Sequence, residues 1–378
     1  MRARFISGTL ATALLVAATI VNVPPATAVK APAIISLGDS YISGEAGRWR
    51  GNGNYPYGSR YGTDLAAYNC NRAETSCSYD PKLIYGTSAA ECDRSIGAEI
   101  THVEKVRVNR EVFRITPVNR LNIACSGATT TDVTKNSFKG EAPQVQQLRN
   151  YASSRDIKLV VLSIGGNDIG FGDIIKSCVT AFTLYYYCNT SLAGPVKQRI
   201  TALYPKVRDT VRAVQDVMRN AGYRNGSYRM VVQSYPVPMP AGKDNRYPET
   251  YKQRFEEGGC PIYNVDADWA RNDVLPDLAS TIRRAAGATA AEYLELRNAL
   301  EGHEVCAKGV SQSNSGDTLG HPHAKRNSEW IRWIGGLAQG YVQESLHPNA
   351  YGQEQLGACL GHMASRSKNT FDCRIGSV

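Results

Sequence analysis

Short apolar runs, each ended by a turn residue, alternate along the chain with segments of helical period. The runs lie at residues 33–37, 121–124, 159–164 and 229–233, and a glycine, serine or proline follows each one closely. Short β-branched runs bounded by turn residues are typical of buried strands in a parallel sheet. The pattern therefore predicts four such strands.

The segments between these runs carry apolar residues at helical spacing. One apolar face precedes the strand at 159–164, and a longer one precedes the strand at 229–233. The two faces consist of Val145, Leu148 and Ala152, and of Ile200, Tyr204, Val207, Val211, Val214, Met218 and Ala221. Gly222 predicts the end of the longer helix, and Pro205 predicts a kink or a fresh start within it. Strands alternating with helices predict an α/β fold with helices on both faces of the sheet.

Two long stretches break this alternation, and we interpret both as insertions. Residues 45–115 are rich in Gly, Tyr, Asn and Arg and contain three cysteines, with little apolar periodicity. Residues 236–343 begin with three closely spaced prolines and then show helical patterns around 269–282 and 288–300.

The N-terminus has the pattern of a secretory signal peptide over residues 1–28. Arg2 and Arg4 precede an apolar stretch at 5–23, and a small-residue cleavage sequence ends at Ala28. Two prolines before the cleavage sequence argue against the alternative, a retained membrane anchor. No later segment approaches the ~18 apolar residues that a spanning helix needs. We expect a secreted protein without stable membrane insertion.

Composition and charge narrow the class of protein. The chain is 42% hydrophobic and 20% charged, which excludes a disordered tail. The net charge of +9 raises the question of nucleic-acid binding. However, the densest basic cluster, at residues 105–110, lies between Glu104 and Glu111. A mildly basic surface is the better interpretation, and no nucleic-acid partner is expected.

The ten cysteines predict disulfide bonds. Their number is even, and no tight C-x-x-C pair suggests zinc binding or redox chemistry. Partners close in sequence predict the pairs Cys178–Cys188, Cys260–Cys306 and Cys359–Cys373. Four cysteines remain, with three possible pairings among them: Cys70, Cys77, Cys92 and Cys125. Since all ten can pair, a catalytic cysteine is not expected.

A serine follows the first predicted strand directly, on the turn Gly38-Asp39-Ser40. The carboxyl ends of strands are where open α/β sheets bind ligands. Taken alone, the same residues fit an ordinary helix cap equally well.

Two further segments favour chemistry at this edge of the sheet. Asn167 and Asp168 follow the strand at 159–164, and Gly127 follows the strand at 121–124. Acyl transfer needs hydrogen-bond donors aimed at the oxygen that becomes negative. The side-chain amide of Asn167 and the backbone N–H groups of Ser40 and Gly127 would form such an oxyanion hole.

A serine hydroxyl also needs a base, and His347 is the best candidate. Pro348 disfavours a helical conformation at His347, and Asn349 can cap the helix that follows. Glu344 could orient the ring from its Nδ1 side, although a backbone carbonyl could do the same. The other histidines lack a motif, so no metal site and no cofactor are expected.

These motifs, in this order, resemble the SGNH (GDSL) hydrolase family, most closely its secreted, disulfide-bearing bacterial esterases and lipases. The resemblance spans positions 38 to 349 and rests on the residues Gly38, Asp39, Ser40, Gly127, Gly166, Asn167, Asp168, His347, Pro348 and Asn349. It departs from the family at Tyr41, where the family name expects leucine, and at Glu344, where many members have aspartate.

The resemblance implies a flavodoxin-like, three-layer α/β/α fold with a central parallel sheet. It also implies that Ser40 is the nucleophile, that His347 is the base, and that Ser40, Gly127 and Asn167 form the oxyanion hole. Cys125 would pair with one of Cys70, Cys77 and Cys92. Because Ser40 and His347 must touch, we expect one catalytic domain over residues 29–378 that contains both insertions.

The predicted function is a secreted serine esterase or lipase that acts through an acyl-enzyme, and we expect a monomer. A small-molecule, lipid or glycan ester is the expected partner, and its acyl chain and head group are left open. Tyrosines crowd the first insertion, as at Tyr55, Tyr57, Tyr61 and Tyr68, so O-deacetylation of a glycan is one alternative. A non-catalytic binding protein on the same scaffold is the other.

Overall fold

A computed structural model describes residues 30–53, 62–74, 76–87, 91–334, 342–367 and 369–378. The predicted signal peptide and Tyr55, Tyr57 and Tyr61 lie outside the described residues. The strands, in chain order, are β1 (Pro32–Gly38), β2 (Ala67–Tyr68), β3 (Ser78–Tyr79), β4 (Lys105–Val108), β5 (Glu111–Arg114), β6 (Arg120–Asn122), β7 (Asp156–Ser163), β8 (Arg229–Gln233), β9 (Glu292–Glu295) and β10 (Thr370–Asp372). The α-helices are α1 (Ser40–Ser43), α2 (Lys82–Tyr85), α3 (Thr130–Thr134), α4 (Gln144–Ser154), α5 (Phe171–Thr183), α6 (Asn189–Asn220), α7 (Asn264–Trp269), α8 (Leu275–Gly287) and α9 (Ala350–Ser365).

Six strands form one parallel sheet in the order β10-β9-β8-β7-β1-β6. If only the six strands of this sheet are numbered, in chain order, their spatial order is 2-1-3-4-5-6, as in flavodoxin-like folds. The direction in which successive strands are added to the sheet changes between β1 and β7, while all six strands stay parallel. Helix α4 packs on β1 and β7, α8 packs on β8 and β9, and α6 packs on both of these helices, whereas α9 packs on β4 and the 3-10 turn Glu99–His102. The predicted three-layer α/β/α fold is confirmed.

The burial of the sheet explains why its strands could be predicted from continuous apolar runs in the sequence. Residues 159–162 of β7 are fully buried, as are Ala33 to Ile35 of β1. Strands of a parallel sheet are covered on both faces, so they read as continuous apolar runs rather than as alternating ones. All four predicted runs overlap strands, namely β1, β6, β7 and β8.

Two helical expectations need correction. The helix expected around 288–300 is absent, and β9 occupies Glu292–Glu295 instead, paired with β8 and β10. Alanine, glutamate and leucine favour a helix locally, but sheet pairing outweighs that weak preference. The long helix α6 does not start afresh at Pro205 but runs through both Pro195 and Pro205.

Five disulfides connect the described residues. They are Cys70–Cys77, Cys92–Cys125, Cys178–Cys188, Cys260–Cys306 and Cys359–Cys373. Of the three pairings that the sequence leaves open, the structure has the one that combines Cys70–Cys77 with Cys92–Cys125. This last bond ties the first insertion to the segment that leads to Gly127.

Candidate active site

The serine is placed by the way β1 ends. Gly38 has φ +134, and a Cβ atom there would lie 1.9 Å from the carbonyl oxygen of Ser163 on β7. Only glycine therefore allows the two strands to approach this closely. From α4, the side chain of Gln144 accepts from the Gly38 N–H at 2.7 Å and donates to its carbonyl at 2.8 Å. The chain then turns directly into α1, whose first residue is Ser40.

Asp39 holds this turn through its side chain. Its carboxylate accepts from the Tyr41 N–H and from the hydroxyl of Tyr235. The same Tyr235 hydroxyl accepts from the Gly166 N–H at 3.0 Å, so it links the nucleophile turn to the Gly-Gly-Asn-Asp segment. Burial raises the pKa of Asp39 to about 7. Sequence analysis missed Tyr235 and Gln144, because neither lies in a motif.

Ser40 and His347 meet although 307 residues separate them. The distance from Ser40 Oγ to His347 Nε2 is 2.7 Å, and Nδ1 lies 3.0 Å from the Ser345 carbonyl oxygen. A carbonyl can only accept, so Nδ1 carries the ring proton and Nε2 accepts from the serine hydroxyl. Burial lowers the pKa of His347 to about 4, so the imidazole is neutral at neutral pH. The pair is arranged for the base to take the serine proton.

Glu344 does not orient this ring, which corrects one expectation. Its carboxylate accepts from the indole N–H of Trp49 at 2.6 Å and from the hydroxyl of Tyr85 at 2.7 Å. The Ser345 carbonyl occupies the Nδ1 side of His347 instead. The contacts form a Ser40–His347 pair with a backbone acceptor at Nδ1, which is the geometry of the alternative that the sequence left open; this pair is called the dyad below.

Of the predicted oxyanion donors, Ser40 and Asn167 line the same pocket. Among the described residues, no acceptor bonds the backbone N–H of Ser40 or of Gly127. The amide of Asn167 donates one hydrogen to the Ala128 carbonyl at 2.9 Å, which leaves its second hydrogen for a ligand. Asp168 accepts from the N–H and hydroxyl of Thr130 at 2.9 and 2.7 Å and so fixes the segment after Gly127.

The histidine segment is fastened from several sides. The hydroxyl of Tyr41 donates to the Leu346 carbonyl at 2.8 Å, directly from the nucleophile helix. The N–H of Arg332 donates to the His347 carbonyl at 2.8 Å. Asn349 caps α9 through its side-chain oxygen, as the sequence predicts.

An apolar pocket opens beside Ser40. Its apolar lining comes from Tyr41, Phe171, Leu275 and Leu278. Phe171 and Leu275 also line a second apolar cavity of about 50 Å³, which extends to the Cys178 end of α5. A larger cavity of about 780 Å³ lies elsewhere, between the end of α6 and β9, and is not lined by the dyad. The pocket at the dyad is therefore the one that concerns the chemistry.

Two further observations concern the described part of the chain. No three His, Cys, Asp or Glu side chains there are grouped so as to hold a metal ion. No helix within those residues is long and apolar enough to span a bilayer.

Comparison with known proteins identifies the family of this chain. Residues 105–355 match the sequence model of the GDSL-like lipase/acylhydrolase family, and the chain belongs to this family of carboxylic ester hydrolases. Lipase 2 of Streptomyces coelicolor is 26% identical over 238 residues, which cover 62% of this chain and 68% of that lipase. Lipase 1 of the same organism is 25% identical over 271 residues, 71% of this chain and 76% of that lipase. An extracellular lipase from Streptomyces rimosus superposes over 89% of this chain and 100% of its own, with 20% identity and a TM-score of 0.45.

Proposed function

We propose that this chain is a secreted serine esterase that hydrolyses carboxylic esters through an acyl-enzyme on Ser40. The observation that carries the proposal is the 2.7 Å contact between Ser40 Oγ and the neutral His347 ring, whose proton is held on the far nitrogen by Ser345. A buried neutral imidazole with a free Nε2 lone pair is the state that a general base requires.

The reaction has two matching halves. In the first, Oγ bonds to the ester carbonyl carbon while its proton moves to Nε2 of His347. The carbonyl oxygen becomes negative beside the N–H groups of Ser40, Gly127 and Asn167. The ester C–O bond then breaks, and His347 returns the proton to the leaving alcohol. In the second half, water replaces Oγ as the attacking group, and the carboxylic acid and free serine are released.

Secretion and a single catalytic domain form part of the proposal. Five disulfides support an oxidising compartment, as does the signal-like pattern of residues 1–28. The dyad contact across most of the chain supports one catalytic domain over residues 29–378, and Ala31–Val378 form one compact unit.

The apolar lining of the pocket beside Ser40 favours an apolar acyl group. Phe171 and Leu275 line both this pocket and the second apolar cavity, and such side chains suit alkyl carbons. Deacetylation of a glycan would need polar or aromatic groups at the rim.

The test is hydrolysis of p-nitrophenyl esters from acetate to palmitate by the disulfide-bonded protein. Ser40→Ala should lower kcat by about 10⁴-fold or more, because the nucleophile is lost. Ser153→Ala, on the exposed surface of α4, is the matched control and should retain wild-type activity.

A fluorophosphonate should label the wild type at Ser40 and leave the alanine variant unmodified. Wild-type turnover by Ser40→Ala would overturn the serine mechanism. A rate confined to acetate would instead favour the glycan alternative.

A further inference from the structure

A second buried carboxyl group contacts the dyad, and the reaction described above does not use it. Glu45 follows Gly44, whose left-handed backbone ends α1 and turns the chain back towards Ser40. Its Oε2 lies 3.6 Å from His347 Nε2 and accepts from the Ser126 hydroxyl at 2.8 Å. Glu45 is only 1% exposed. It therefore lies between the reacting nitrogen and the segment that carries Gly127.

The other oxygen of Glu45 shows where a proton must be. Glu45 Oε1 is buried, and no donor bonds it among the described residues. The neighbouring acidic side chain is Asp93, whose charge acts on Glu45 and whose carboxyl group offers no donor when it is ionised. Two carboxyl groups in contact share one proton, because both cannot be charged at once. A proton on either of these two groups would therefore provide the donor that the other lacks.

Within the part of the chain that the structure describes, the dyad has no carboxylate on the Nδ1 side of His347. Where a serine–histidine pair is completed by a carboxylate at Nδ1, that charge stabilises the imidazolium formed during the reaction. In this chain Nδ1 faces the neutral carbonyl of Ser345, and the carboxylate of Glu344 is bonded by Trp49 and Tyr85. Glu45, on the Nε2 side, is the acidic residue placed to supply the missing charge.

We propose that Glu45 is a catalytic residue whose carboxylate accepts a hydrogen bond from the Nε2–H group of protonated His347, while Asp93 takes the proton that Glu45 releases. This inference rests on the proposed serine mechanism. The Ser40 O–H bond breaks as the Nε2–H bond forms, and the Glu45 O–H bond breaks as an Asp93 O–H bond forms. Both transfers reverse when His347 protonates the leaving alcohol, so no proton is gained or lost.

The electrostatics of the site agree with this arrangement. Burial and the neighbouring Asp93 carboxylate raise the pKa of Glu45 well above its usual range, more than the Ser126 hydrogen bond lowers it. Burial raises the pKa of Asp93 to about 6, against the opposing effect of Lys139. Glu45 is fully buried whereas Asp93 is half-buried, so burial favours the proton of this pair on Glu45 and the charge on Asp93. The titratable groups that face Glu45 are His347, Asp93, Glu344, Lys139, Tyr41 and Tyr85.

The first test is the pH dependence of kcat. In the wild type, kcat should fall in two steps on acidification, one near pH 6 as Asp93 becomes protonated and one near pH 4 as His347 does. Glu45→Gln keeps the size of the side chain but holds no transferable proton. It should lower kcat at neutral pH by about 10- to 100-fold, leave KM unchanged, and abolish the step near pH 6.

Asp93→Asn removes the group that accepts the proton of Glu45, so it should also abolish the step near pH 6, with a comparable loss of kcat. Glu344→Gln is the matched control, because it removes a nearby carboxylate that does not touch the ring. That control should keep the step and move it to lower pH, since loss of a neighbouring negative charge lowers the pKa of Asp93.

Fluorophosphonate labelling of Ser40 provides a readout independent of the ester substrate, and thermal melting checks the fold of each variant. Slower labelling of folded Glu45→Gln and Asp93→Asn supports the proposal. Wild-type kcat in folded Glu45→Gln, or a step near pH 6 that survives in both variants, overturns it. If Ser40→Ala itself remains active, the serine mechanism has failed; if Ser40→Ala is inactive and Glu45→Gln is not, only this inference has failed.

Discussion

The two segments that form the dyad are held in different ways. The nucleophile segment, residues 38–43, is fixed by the sheet, since Asp39 N–H bonds the Ser163 carbonyl of β7 at 3.1 Å and Gln144 clamps Gly38. The histidine segment, residues 342–349, instead pairs with residues 330–332 of the second insertion. There the backbone bonds are Arg332 N–H to His347, Leu346 N–H to Arg332 and Asn349 N–H to Trp330.

The difference shows what the insertions do for the dyad. The second insertion supplies a short backbone ladder that carries the base, and the first supplies Trp49 and Tyr85, which hold Glu344. The nucleophile depends on local backbone geometry, whereas the base depends on contacts from far along the chain. Substitutions that disturb the sheet should therefore displace the nucleophile segment, whereas substitutions in the insertions should displace the histidine segment.

The largest effect is expected where the sheet fixes the nucleophile. Gly38→Ala would place a Cβ 1.9 Å from the Ser163 carbonyl oxygen, at a φ of +134 that alanine avoids. The free energy of unfolding should fall by more than about 3 kcal/mol, or no folded protein should accumulate. Chemical denaturation measures the change.

The matched control for that substitution is Gly361→Ala, in the middle of α9, where the new methyl group would meet nothing within 4 Å. It should stabilise the protein by about 0.5–1 kcal/mol, since alanine favours a helix over glycine. Equal stability of the two variants would show that the approach of β1 to β7 does not require glycine.

A smaller effect, on turnover, is expected at the contact between the two segments. Tyr41→Phe removes the hydroxyl that donates to the Leu346 carbonyl at 2.8 Å in a buried position. The base then loses a direct tie to the nucleophile helix, and kcat should fall by about 10-fold through misplacement of the ring. Stability should fall by about 1–3 kcal/mol, because a buried carbonyl loses its partner.

Tyr223→Phe is the control for this prediction. Its hydroxyl also bonds backbone groups, at Ile157 and Arg155, far from the dyad. Comparable destabilisation with unchanged kcat is expected there. If both variants keep wild-type kcat, the Tyr41 bond serves folding alone.

The same contrast explains how much the sequence could predict. The strands β1, β7 and β8 are buried on both faces, so their apolar runs are unambiguous, and Ser40 and Asn167 follow from their carboxyl ends. The segment that forms β9, the second strand from one edge of the sheet, was wrongly predicted as a helix, because pairing with β8 and β10 outweighs the helical preference of its residues.

The missed parts of the site share one cause. Glu344 is three residues from His347, yet Trp49 and Tyr85 from the first insertion take its carboxylate. Glu45 reaches the ring from a segment that lies next to Ser40 in the chain and about 300 residues from His347. Neither pairing leaves a pattern in sequence spacing, because both depend on how the insertions fold back over the sheet.

The smallest effect on turnover is expected at Glu344. In Glu344→Gln the amide oxygen can accept from either Trp49 or Tyr85, while the NH₂ group faces the other donor. The free energy of unfolding should fall by about 1–2 kcal/mol, from one lost buried hydrogen bond. Because this carboxylate does not touch His347, kcat/KM should stay within about threefold of wild type.

Steady-state kinetics, combined with denaturation of the same variant, decide between this account and an orienting role for Glu344. A carboxylate that holds the ring from Nδ1 contributes about 10⁴-fold to kcat, and its amide variant loses that factor with the fold intact. A loss of that size in stable Glu344→Gln would mean that the acid, and not the Ser345 carbonyl, orients His347 during turnover. A small loss beside a large one in Glu45→Gln would place the working carboxyl group on the Nε2 side of the ring.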